Sequence, residues 1–98
     1  APASGRTIAI DAAEFAYTPN KFDAKVGEKL TFKITNKGTL DHSLVIAGAD
    51  GAVITRVDVK LGSTATLDFT PSKAGTYQFY CDVPGHKESG MTGTINVQ

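Results

Sequence analysis

Four side chains carry nearly all the metal-binding chemistry available to this 98-residue chain: His42 and His86, the two histidines, Cys81, the single cysteine, and Met91, the single methionine. Four residues separate Cys81 from His86 and four separate His86 from Met91, so one short loop can present three donors to one ion. His42 must arrive from elsewhere in the fold. Thiolate and thioether are soft donors and imidazole is borderline; two imidazoles and a thiolate with a weak axial methionine form the donor set of a one-electron copper centre. Zinc seldom takes methionine. The mixture suits both copper valences, because the sulfur donors hold Cu(I) while the imidazoles also serve Cu(II). A second reading of the same residues makes Cys81 a nucleophile activated by His86. That reading needs an oxyanion hole and an orienting partner, and no sequence signal supplies either.

The elements that must bring these residues together are strands. Short segments of alternating polarity run between clusters of turn residues, and no window sustains apolar positions at helical spacing. Residues 29–35 place Leu30, Phe32 and Ile34 on one face and Lys29, Thr31, Lys33 and Thr35 on the other. Residues 7–11, 43–47, 53–60, 63–70, 76–81 and 91–97 read in the same way. They predict an all-β Greek-key sandwich or barrel of seven to eight strands, in a single domain over residues 1–98. Parity then places the donors. Tyr77, Phe79 and Cys81 share a face, as do Met91, Ile95 and Val97, and as do His42, Leu44 and Ile46, so each donor continues the core-facing row of its strand. Antiparallel return of the strands on either side of the 81–91 loop, with the strand from His42 beside them, brings all four to one pole. Pro84, Gly85 and Gly90 shape the loop by fixing one dihedral and permitting turns that a side chain obstructs.

Composition narrows the remaining function classes. With 41% hydrophobic and 20% charged residues, and 10 basic residues against 10 acidic ones, the chain has the balance of a globular domain. Lys and Arg are scattered singly, which excludes the basic face that nucleic acid needs. The longest apolar runs, such as Leu44-Val45-Ile46-Ala47, are far too short for a membrane span. A single cysteine rules out an intramolecular disulfide and every site that takes two or more thiolates from one chain, including a dinuclear copper centre bridged by two cysteines. No spare histidines remain for the second copper of a nitrite reductase. The opening Ala1-Pro2-Ala3 is the kind of end left by a secretory cleavage at small residues.

With these residues in place, the sequence resembles the cupredoxins, the small blue-copper proteins, over nearly its whole length. The run Val26-Gly27-Glu28 and Leu30-Thr31-Phe32-Lys33-Ile34-Thr35-Asn36 leading to Asp41-His42 is similar to the family's strands before its first histidine ligand. Tyr80-Cys81-Asp82-Val83-Pro84-Gly85-His86 through Gly90-Met91 is similar to its ligand loop. The resemblance implies one type 1 copper ion held by the imidazoles of His42 and His86, the thiolate of Cys81 and the axial thioether of Met91. It implies no catalysis but outer-sphere transfer of one electron at a time between a donor and an acceptor protein, such as a cytochrome, photosystem or oxidase. The electron would leave through the edge of His86, with Val83, Pro84, Gly85 and Met91 around it as a mostly apolar docking patch. It further implies a monomer, exported to the periplasm, the thylakoid lumen or an extracellular membrane surface. A copper carrier, or a domain cut from a larger copper oxidase, is the alternative from another class.

Two features depart from the common pattern. The Cys81 to His86 interval is longer than in plastocyanin and like that of auracyanin or azurin, whereas the His86 to Met91 interval is plastocyanin-like. Many members carry Asn after the first histidine to tie the ligand loops together, and Ser43 stands there. A serine makes fewer hydrogen bonds, so the coupling of the loops and the reduction potential are expected to differ, and Ser43→Asn is expected to shift the potential. Asp82 and Lys87-Glu88 read as solvated charges beside the loop. Tyr77, Phe79 and Tyr80 read as packing residues. Zero net charge predicts only weak dependence of partner binding on salt.

Overall fold

The computed structural model describes residues 6–14, 16–86 and 89–98. Among the described residues nine strands occur in chain order: β1 (Arg6–Ala13), β2 (Ala16–Thr18), β3 (Lys21–Ala24), β4 (Leu30–Asn36), β5 (His42–Ala47), β6 (Val53–Val59), β7 (Thr64–Phe69), β8 (Gly75–Tyr80) and β9 (Thr92–Val97). They form two mixed sheets, β2-β1-β4-β7 and β3-β9-β8-β5-β6, packed as a sandwich. The count exceeds the expected seven to eight because β2 and β3 are three and four residues long, too short for alternation to register, and flank Pro19. Among the described residues no helix is long and apolar enough to cross a membrane.

Alternation builds the core as the sequence dictates. In β4, Leu30, Phe32 and Ile34 are buried, and in β8 and β9 Tyr77, Phe79, Ile95 and Val97 are buried with them. An aromatic cluster joins the two sheets: Tyr17 and Phe22 both pack on Phe79, with ring centroids 5.2 and 5.8 Å away, and Phe22 also meets Phe32 at 5.8 Å. Tilted ring pairs of this kind add about 1 kcal/mol each beyond area burial. Phe79 packs in this cluster and Tyr77 against Phe69, with ring centroids 5.3 Å apart, both within the core; Tyr77 also donates its hydroxyl to Lys73 O at 2.7 Å.

Strand β5 breaks the alternation, since all six of its residues are buried. Leu44 and Ile46 face the core, while Val45 on the opposite face is paired directly with Arg56 of β6 and Tyr80 of β8. Those long side chains flank Val45 on the outer face, where directly opposed residues lie closest. The site depends on this strand. β5 runs antiparallel to β8, and β8 antiparallel to β9, so His42, Cys81 and Met91 come to the same end of the second sheet.

Candidate metal centre

Each donor is seated by a different kind of constraint. His42 opens β5, opposite Val59 of β6, and is 2% exposed. Cys81 follows β8 directly and Met91 immediately precedes β9, and both are fully buried. The loop between them is folded on itself. His86 N–H donates to Val83 O at 3.1 Å, Met91 N–H donates to His86 O at 3.1 Å, and Cys81 N–H donates to Met91 O at 3.2 Å. Gly85 and Gly90 take φ of 85° and 109°, left-handed conformations that β-carbon-bearing residues avoid. Met91 is thus tied through its backbone to both of the other loop donors.

Three donor atoms converge. His42 Nδ1 lies 3.1 Å from His86 Nδ1, and Cys81 Sγ lies 3.4 Å from His86 Nδ1 and 4.0 Å from His42 Nδ1. A point equidistant from the corners of that triangle is about 2.1 Å from each, the length of a metal–imidazole bond. The residues therefore fit a single trigonally bound ion, with nitrogen and sulfur donors of the kind copper takes. Burial lowers the pKa of His42 below its ordinary 6.5, the neighbouring His86 lowers it further, and Glu14 opposes both. The ring is held neutral, the form that binds metal. With Cys81 fully buried, a substrate has no route to the sulfur, which removes the nucleophile reading.

The other nitrogen of His42 faces a carboxylate that sequence reasoning did not single out. Glu14 Oε1 sits 3.7 Å from His42 Nε2, which is buried and has no hydrogen-bond partner among the described residues. Glu14 is itself held by Thr39, whose N–H and hydroxyl donate to Oε1 at 2.6 and 3.1 Å. Burial raises the Glu14 pKa, but the hydrogen bonds outweigh it and hold the group lowered, so it is a carboxylate. A β-carbon on Gly38 would fall on this carboxylate, so the glycine makes room for it. Metal-bound histidines commonly present their second nitrogen to such a group, which fixes ring orientation. No sequence signal links Glu14 to His42.

At Ser43 the coupling of the ligand loops, expected to differ from the common pattern, runs through Asp82. Ser43 Oγ donates to Asp82 Oδ1 at 2.5 Å and accepts from Asp82 N–H at 2.9 Å, which binds the histidine strand to the cysteine loop. Asp82 is not a free solvated charge. Arg56 Nε donates to Asp82 Oδ2 at 3.0 Å and Arg56 Nη2 to Oδ1 at 3.2 Å. The hydrogen bond from Arg56, then that from Ser43, lowers the Asp82 pKa. Serine couples the loops because the residue after the cysteine reaches back to it. Tyr17 adds a third tie, donating its hydroxyl to Ser43 O at 2.5 Å. Lys87-Glu88 and Ala1-Pro2-Ala3 lie outside the described residues.

Comparison with known proteins places this geometry. The family model described as a cupredoxin-like domain matches residues 1–97. Plastocyanin from Solanum tuberosum is 35% identical over 95 residues, covering 89% of this chain and 92% of that protein. A chloroplastic plastocyanin from Solanum lycopersicum is likewise 35% identical over 95 residues, covering 89% of this chain and 54% of its own length. Among solved structures, reduced auracyanin from the photosynthetic bacterium Roseiflexus castenholzii superposes with a TM-score of 0.83 at 27% identity, covering 94% of this chain and 96% of that one.

Proposed function

This chain belongs to the cupredoxin family, and from that premise we propose that residues 1–98 act as one blue-copper domain that carries single electrons between larger redox proteins. The observation that carries the reading is the convergence of His42 Nδ1, His86 Nδ1 and Cys81 Sγ on one point at metal-bond distance. In this reading those three atoms would hold the ion, and the fully buried Met91 would supply the weaker thioether donor. Bound there, copper supplies a single redox-active electron by cycling between Cu(II) and Cu(I).

The chain's own residues do the rest. Cys81 and the two imidazoles give one donor set that serves both valences, and the sandwich holds their spacing, so little rearrangement accompanies transfer. The core around Phe79, Leu44 and Ile95 excludes water from the site. His86 is 95% shielded, and the small remainder of its surface is the edge through which partners exchange the electron. Val83, Pro84 and Gly85 beside it form the docking surface; Met91, expected in that patch, is fully buried and takes no part in it. Brief contact with a donor and then an acceptor suits a small apolar patch better than a large interface. The plastocyanin relatives, one of them chloroplastic, support an exported setting such as the thylakoid lumen or the periplasm.

Titration of the metal-free protein with Cu(II) tests the reading. An intense visible band with one equivalent bound and reversible one-electron voltammetry are expected. A colourless complex would instead identify a copper carrier.

A further inference from the structure

Arg56 lies on β6, on the outer face of the second sheet, and contributes no donor atom to the centre. It grips the carboxylate that faces Ser43. Both Asp82 oxygens accept from Arg56, Oδ2 from Nε at 3.0 Å and Oδ1 from Nη2 at 3.2 Å, while the same Nη2 reaches Asp58 Oδ1 at 2.6 Å. Arg56 is therefore fixed between two acidic groups, and its planar fork fixes Asp82 in turn.

The consequence falls on one proton. A serine hydroxyl has a single hydrogen to donate. Ser43 Oγ has two acceptors within reach, Asp82 Oδ1 at 2.5 Å and Cys81 Sγ at 3.7 Å. The shorter contact to an ionised oxygen is far the stronger. Ser43 is 1% exposed, so no bulk water competes for it.

We propose that Arg56 and Asp82 act as a positioning pair that keeps the Ser43 hydroxyl turned away from the Cys81 sulfur. The inference rests on the copper-site reading above. A hydrogen bond to the thiolate withdraws electron density from sulfur and favours Cu(I), whereas its absence keeps the thiolate a stronger donor and favours Cu(II). The pair thus lowers the reduction potential relative to the same fold with Ser43 donating to sulfur. It also sets that potential from the protein surface, through a residue that touches no metal ligand.

Voltammetry of Arg56→Met in two backgrounds tests this. Loss of a positive charge alone lowers the potential by disfavouring Cu(I). Release of Asp82, with the Ser43 hydroxyl turning to sulfur, raises it. The expected result is an upward shift in the natural sequence that disappears or reverses in Ser43→Ala. Equal shifts in both backgrounds, or a downward shift in both, would overturn the proposal. A metal-free readout stands beside it: Arg56→Met is expected to speed hydrogen exchange at the Asp82 amide, which donates to Ser43 Oγ, and unchanged exchange would remove the brace. A protein that never turns blue with copper defeats the copper reading, whereas a blue protein with background-independent shifts defeats only the positioning role.

Discussion

The two histidines reach the same point by opposite means. His42 stands on β5, a strand paired along its length with β6 and over its far half with β8, with its Nε2 turned toward a carboxylate lodged against Gly38. His86 stands in a loop held by bonds among its own residues, through turns that Gly85 and Gly90 permit, and by one outside tie, from Asp82 to Ser43 and Arg56. The first is placed by the whole sandwich and the second by a local knot. The His42 side is therefore built by strand pairing, whereas the His86 side rests on the loop's own hydrogen bonds and on the tie from Asp82 to Ser43 and Arg56.

The largest effect is expected on the loop side. Cys81→Ser replaces the soft thiolate with a hydroxyl, and the intense visible absorption is expected to vanish; a blue protein without Cys81 would refute the ligand assignment. On the strand side, Glu14→Ala leaves His42 Nε2 without its facing carboxylate and is expected to weaken copper affinity about 10-fold or more while the protein stays blue. Calorimetric titration measures this, and unchanged affinity would show that the sandwich alone orients the ring. Met91→Leu is expected to raise the reduction potential with copper still bound, because removal of a thioether donor disfavours Cu(II).

Smaller effects sharpen the contrast in the metal-free protein. Amides of His86 and Ser89 are expected to exchange faster than those of Leu44 and Ile46, and equal protection would show that the loop is as well built as the strand. Acid acts on the strand side. The folded-state pKa of His42 is depressed, so the unfolded chain takes up a proton that the folded protein resists. Stability of the metal-free protein is therefore expected to fall as pH drops through 6.5 toward the folded value, and His42→Gln should blunt that loss in thermal melts.

The strands with the longest alternation were legible from residue order. β4 emerged with Leu30, Phe32 and Ile34 inward, and the rows ending at Cys81 and starting at Met91 met at one pole. β2 and β3 were not legible, because three or four residues beside a proline carry no measurable period. The buried outer face of β5 was hidden too, since alternation says nothing of long side chains on neighbouring strands that flank it. Asp82 is an exposed charge, as the sequence suggests, but its partners were hidden for a related reason: Ser43 and Arg56 are 39 and 26 residues away in sequence.

By itself, the sequence determined the chemistry. Two histidines, one cysteine and one methionine, three of them within an eleven-residue span, limit the site to one ion held by soft and borderline donors, and strand parity turns His42, Cys81 and Met91 inward. Only the tertiary structure decided how that chemistry is tuned. The carboxylate facing His42, the tie from Ser43 to Asp82 and the grip of Arg56 on that tie join strands and loops far apart in the chain. Donor type belongs to a side chain wherever it lies, whereas a hydrogen bond exists only once two segments have been brought within 3 Å or so of each other.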